Sequence, residues 1–158
     1  MDKIITYEVD GIKIYFSKEA YNNWINSKGG IRTYLDEHIE HIKDITKTVI
    51  SEFENVDGFY ISSTWRPFDN ASPHFSGRGL DVSRIYINEE AHFLKDTYKK
   101  LKEWTLFKNE VYKLFDAGIY NQIISPFGLK DVRPDIDKDT KDRLIKGHSD
   151  HFHLNIPK

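Results

Sequence analysis

Polar and apolar residues alternate from Ile5 to Phe16 around a central Asp10-Gly11, a pattern that predicts a β-hairpin with a two-residue turn. Ser17 followed by Lys18-Glu19-Ala20 predicts an N-cap and a short helix through Trp24 and Ile25, stopped by Gly29-Gly30. Between Ile31 and Phe53 the apolar positions Leu35, Ile42, Ile45, Val49 and Phe53 keep helical spacing, so a long helix with one buried face is expected. The run Phe59 to Ser63 after Gly58 has β character and closes at Trp65-Arg66-Pro67. A polar loop from Asp69 to His74 and the turn Gly77-Arg78-Gly79 lead into a second strand, Leu80 to Ile87. Residues 88–117 read as helix with a break near Thr105, and Asn121 to Ile124 as a short strand. Ser125 to Gly147 reads as a long charged connection, and His148 to Ile156 as a terminal strand. This order predicts an α+β fold, a small antiparallel sheet flanked by helices, in one domain spanning 1–158. Residues 1–55 supply the hairpin and first helices, and residues 56–158 the core that carries the chemistry.

Composition narrows the classes of function. A net charge of −2 and a pI near 6.4 provide no positive field for nucleic acid or an anionic membrane. With 39% hydrophobic and 14% aromatic residues the chain lies far from the disordered class. A domain of 158 residues buries about 68–70% of its unfolded surface, so a metal is not needed to hold it together, and a metal site would point to function. The chain has no cysteine, which excludes disulfides, a catalytic thiol and Cys-ligated zinc and leaves His and carboxylate as ligands. No apolar run approaches ~18–20 residues and the N-terminus has no basic-then-apolar leader. The expectation is synthesis in the cytoplasm without a Sec signal.

Four histidines, His74, His148, His151 and His153, sit beside acidic residues in loop and strand sequence, where sites usually live. A cysteine-free zinc site typically takes two or three imidazoles plus a carboxylate and keeps one position open. His74, Asp81 and His153 fit that count, with Gly77-Arg78-Gly79 letting the chain turn back between the first two. The strand of Asp81 and the strand of His153 are expected to pair side by side.

The ordered set His74-Phe75-Ser76-Gly77-Arg78-Gly79-Leu80-Asp81 and Asp150-His151-Phe152-His153 resembles the zinc metallopeptidase superfamily of D-alanyl-D-alanine carboxypeptidases, lysostaphin-type endopeptidases and hedgehog domains. That family pattern is His, six residues, Asp, then a distant His-x-His. Ser63 and Arg66 look like its Ser-x-x-Arg, Ser72-Pro73-His74 its Ser-x-His, and His148 to His153 is similar to the carboxypeptidase and phage endolysin branch. The resemblance covers residues 58–87 and 148–153. It implies a hedgehog- or D,D-peptidase-like fold, one Zn²⁺ on His74, Asp81 and His153, and hydrolysis of a peptide bond in peptidoglycan by metal-activated water. In the family the acidic residue three positions before the last histidine takes the water's proton, here Asp150. In a regular strand, however, His151 and His153 share one face and Asp150 takes the other. Asp150 therefore reaches the water only if the strand begins with a bend near Ser149; if it does not, His151 is the better-placed proton shuttle. Arg66 would stabilise the oxyanion or bind a substrate carboxylate. Ser72, Trp65 and Phe75 would contact substrate, and His148 would orient a neighbour.

The implied partner is the peptidoglycan stem peptide, met by a monomer at the cell wall after holin-type release or specialised secretion. Two alternatives stay open: a cytoplasmic D-Ala-D-Ala dipeptidase, and a non-catalytic zinc-containing wall-binding or signalling module. His38 and His41, three apart on the long helix, are expected to be packed or solvated. The run Asp135 to Asp139 imitates a calcium loop but has Thr140 and Lys146 where that loop needs Gly and Glu.

Overall fold

The computed structural model describes residues 4–9 and 11–158. Strands β1 (Ile4–Val9) and β2 (Ile12–Ser17) form the expected hairpin, with Val9 opposite Ile12 and Gly11 at φ 78°; Asp10 lies outside the described residues. The Ser17 hydroxyl accepts from the Ala20 N–H at 3.0 Å and opens α1 (Lys18–Asn26). Gly29 and Gly30 do not stop that helix. It ends at Asn26, where Ser27 returns its N–H to the Trp24 carbonyl, and the glycines begin α2 (Gly29–Glu52). On α2 the residues Leu35, Ile42, Ile45 and Val49 are buried as their spacing requires.

The α1–α2 connection returns the chain as β3 (Val56–Ser63), which lies parallel to β2. The sheet is therefore mixed, and larger than a small antiparallel one. With β4 at Gly79–Ile87, β6 at Gln122–Ser125, β7 at Gly128–Asp131 and β8 at Phe152–Asn155, its order is β1-β2-β3-β4-β8-β6-β7, β4 lying antiparallel to β3 and β5 (Glu90–Phe93) pairing with the far end of β4. Strand β5 occupies residues expected to be helical. It turns back through Asn88 and Glu89, at φ 52° and 65°, a left-handed pair without the glycine that usually signals such a turn. Helix α3 (Leu94–Thr97) follows, and the break before α4 (Lys102–Asp116) falls at residues 98–101 rather than near Thr105.

The expected long connection is structured too. Strand β6 (Gln122–Ser125) makes a hairpin with β7 (Gly128–Asp131), and the acidic run after it caps α5 (Lys138–Gly147), Asp137 accepting from the Thr140 N–H at 2.7 Å. The terminal strand β8 is Phe152–Asn155, shorter than expected, because residues 148–151 form a turn and bend.

Helices α2 and α4 cover one face of the sheet. Phe59 of β3 meets Trp104 and Phe107 of α4, and Phe107 meets Phe152 of β8, with ring centroids 4.6–5.5 Å apart. Tyr15, Tyr60 and Tyr86 cluster separately, Tyr15 stacking on Tyr86 at 4.3 Å. Among the described residues no helix is long and apolar enough to cross a membrane.

The turn before β4 touches α2 closely. Gly77 has φ 78°, and a Cβ there would lie 2.6 Å from the Ile31 carbonyl oxygen. Gly77→Ala adds a left-handed penalty of about 1–2 kcal/mol to that clash, so a stability loss of about 2 kcal/mol or more is expected in urea unfolding. A loss under about 0.5 kcal/mol would show that the turn is free to leave α2.

Candidate metal centre

Alternation along two neighbouring strands creates the site. Leu80 and Val82 of β4 and Phe152 and Leu154 of β8 point into the core, so Asp81 and His153 between them point to the other face. The register sets Asp81 directly opposite His153, and the expected side-by-side pairing of the two strands is present. His153 Nδ1 lies 3.0 Å from Asp81 Oδ1.

His74 arrives from the loop before β4, on a 3-10 turn (Pro73–Ser76). Its N–H donates to the Ser72 hydroxyl at 3.2 Å, and its carbonyl accepts from the Arg66 N–H at 3.1 Å. Its ring is fixed at Nδ1, which donates to the Thr64 carbonyl at 2.8 Å. Thr64, fully buried, in turn donates its hydroxyl to the Ala20 carbonyl of α1 at 2.7 Å, so the first helix braces the ring at one remove. A neutral imidazole has one N–H, and here the Thr64 carbonyl takes it. Nε2 is left with a lone pair, 3.2 Å from Asp81 Oδ1. Two acceptors so placed, both 2–3% exposed as residues, ask for a cation between them.

The dimensions fit one. The donor atoms of His74, Asp81 and His153 all lie within 4.8 Å of one another. Metal bonds of ~2.0–2.1 Å at a tetrahedral angle set two ligands ~3.3 Å apart, close to the 3.0 and 3.2 Å found on Asp81 Oδ1. These three residues can hold a metal ion. Burial by itself would raise the Asp81 carboxyl, but the hydrogen bond from His153 Nδ1 is the main influence that holds it well below the usual carboxylate range. Burial lowers the His153 imidazole despite the neighbouring carboxylate, which keeps it in the neutral form that binds metal.

Around this trio lies a cleft of about 410 Å³ lined by Arg66, Ser72, Gln122, Leu144, His148 and His151 among others. Arg66 donates from Nη2 to Asp81 Oδ2 at 3.0 Å and from Nε to the Ser63 hydroxyl at 2.9 Å, with its side chain 42% exposed. His151 Nε2 is 3.8 Å from Asp81 Oδ2, and its Nδ1 donates to Asp150 Oδ1 at 2.6 Å. Because a carboxylate only accepts, that bond makes Nε2 the lone-pair nitrogen on the cleft side. Asp150 stands behind His151 with its side chain 64% exposed, and the chain does bend at residues 148–151. His148 fixes its ring by donating Nδ1 to the Leu144 carbonyl at 2.6 Å and sits 4.9 Å from the His151 ring and 5.4 Å from that of His153.

Trp65 and Phe75 stand apart from the cleft lining. Trp65 Nε1 donates to the Phe75 carbonyl at 3.0 Å, and Phe75 is 40% exposed. Ser72 lines the cleft, and its hydroxyl accepts from the His74 N–H while keeping its own O–H to donate. His38 is wholly buried, its Nε2 donating to the Arg78 carbonyl at 2.6 Å, so this packed histidine pins the turn between His74 and Asp81. Thr64 and Gln122 carried no sequence signal. Thr64 acts through its carbonyl, which every residue has, and Gln122 enters the cleft through strand pairing.

Comparison with protein-family models, with curated proteins and with solved structures finds no match for this chain.

Proposed function

We propose that this protein is a zinc-dependent peptidoglycan peptidase, cleaving a stem-peptide bond as a D,D-carboxypeptidase or an endopeptidase. The observation that carries this reading is the convergence of His74 Nε2, Asp81 Oδ1 and His153 Nδ1 at a cleft that also presents His151 Nε2 and Arg66. Zinc held by the trio would supply Lewis acidity, making water nucleophilic near neutral pH and polarising the scissile carbonyl. The chain's own groups divide the remaining work. His151 Nε2 takes the proton of the attacking water and returns it to the leaving amine, while Asp150 holds the ring in the tautomer that permits this. The sequence reading puts Asp150 first and His151 second; the position of Asp150 behind the ring supports the same pair with His151 in front. Arg66, aligned by Asp81 and Ser63, offers its remaining N–H groups to the developing oxyanion or to a substrate carboxylate. An acid–base pair beside the ligands favours catalysis over a zinc site that only braces the fold.

The test uses purified sacculi and mass spectrometry of the released muropeptides. The wild type should clear sacculi, and a chelator should stop it. His151→Ala should lose about 10²–10⁴-fold in rate, and Asp150→Asn less, because an amide oxygen can still accept from Nδ1. Clearing that survives chelation would end the metallopeptidase reading. A larger loss in Asp150→Asn than in His151→Ala would make Asp150 the direct base.

A further inference from the structure

The metal cleft does not end at its ligands. Pro73 and Gln122 line both that cleft and an adjoining hollow of about 220 Å³, bounded also by Asn121, Asp131, Arg133 and Asn155. Within the hollow the Asp131 side chain is 5% exposed while that of Arg133 is 60% exposed. Arg133 donates from Nε to Asp131 Oδ1 at 3.0 Å and from Nη2 to Oδ2 at 2.8 Å, and Gln122 Nε2 adds a bond to Oδ2 at 2.7 Å. The carboxylate is thus covered and used up in aligning the guanidinium. A guanidinium has five N–H donors in a fixed fork, and the two committed to Asp131 leave three for a ligand. Asn155 is 7% exposed, donates Nδ2 to Asn121 Oδ1 at 2.8 Å, and leaves its own Oδ1 without a partner. A buried amide oxygen is rarely left unpaired, so this one calls for a partner that the chain itself does not supply, a water or a ligand.

We propose that this hollow is a substrate subsite in which Arg133 binds a carboxylate of a peptide and Asn155 Oδ1 accepts from a peptide N–H. This rests on the peptidase reading of the neighbouring cleft and narrows it. The groove then offers a guanidinium at each end, Arg66 beside the metal ligands and Arg133 in the hollow. A D-Ala-D-Ala dipeptide has one carboxylate and cannot engage both. A longer peptide with an acidic group away from the scissile bond can, so the subsite selects an acidic stem peptide over the free dipeptide.

The experiment compares two synthetic peptides, L-Ala-γ-D-Glu-L-Lys-D-Ala-D-Ala and its counterpart with the glutamyl α-carboxylate replaced by carboxamide. Each is titrated into the zinc-loaded protein by calorimetry, and hydrolysis is followed separately by mass spectrometry. Wild type should bind the acid about tenfold more tightly than the amide, the worth of one charge-assisted hydrogen bond. Arg133→Gln should bind the two equally with unchanged zinc content, and Arg133→Lys should keep part of the preference because it keeps the charge and loses the fork. Equal affinity of wild type for the two peptides, no binding of either, or a preference that survives Arg133→Gln overturns the subsite. Peptides bound with the preference but never cleaved would sink the peptidase reading and leave the subsite standing, and cleavage without preference would do the reverse.

Discussion

Asp81→Asn should lose more than about 100-fold in zinc affinity, measured by competition with a chromophoric chelator. Replacing only the outer hydrogen-bond partner of a metal ligand typically costs 10–100-fold, and Asp81 is the central member of the candidate trio. Its Oδ1 faces both His74 and His153, and its Oδ2 holds Arg66. The amide keeps the shape and removes the charge, so the ion would meet two neutral imidazoles and a neutral oxygen beside an uncompensated guanidinium. Zinc should raise the melting temperature of the wild type and leave that of Asp81→Asn unchanged, since a ligand stabilises only the state that binds it. Circular dichroism distinguishes loss of the site from loss of the fold. Unchanged affinity in a folded Asp81→Asn protein would mean that the ion is held elsewhere.

The metal-free protein should lose stability steeply as the pH falls below about 6.5, and His38 should account for much of the loss. Burial pushes this imidazole down to about 3, and the imidazoles of His41, His74 and His153 push in the same direction against the favourable Arg78 carbonyl. The folded state thus keeps His38 neutral where the unfolded chain protonates it. The sign follows: the contribution is complete above pH 6.5 and is lost as the pH falls towards 3. At 1.36 kcal/mol per unit, about 2 kcal/mol disappears by pH 5 and about 4 kcal/mol by pH 3. The depressed His153 and Asp81 work in the same sense, the carboxyl only below about pH 3.8. His38→Gln keeps an N–H donor for Arg78 and removes the titration. Urea unfolding of both proteins in chelator should show a much flatter dependence between pH 6.5 and 4 for His38→Gln, and identical slopes would refute the assignment.

The candidate ligands were legible because their evidence is local. His74 and Asp81 flank a glycine turn, and alternation at His151-Phe152-His153 fixes which residues of the last strand leave the core. The hairpin, the α2 stripe and strands β3 and β4 were legible for the same reason, since each is a short-range periodicity. The Asn88-Glu89 turn and β5 were not, because a left-handed turn without glycine looks like helix to a pattern. Strand β7 and α5 were hidden by a polar, charged segment whose structure rests on hairpin pairing and a single Asp137 cap.

The sequence alone determined the element types over most of the first half, the α+β class and the residues able to hold a metal, because periodicity and side-chain chemistry are properties of neighbours along the chain. Only the tertiary structure decided that β2 runs parallel to β3, that Thr64 and His38 hold the loop of His74, that Asp150 stands behind His151, and that Arg133 flanks a hollow sharing Pro73 and Gln122 with the cleft. These depend on which strand pairs with which and on backbone carbonyls that every residue possesses, so they exist only once distant segments are in contact.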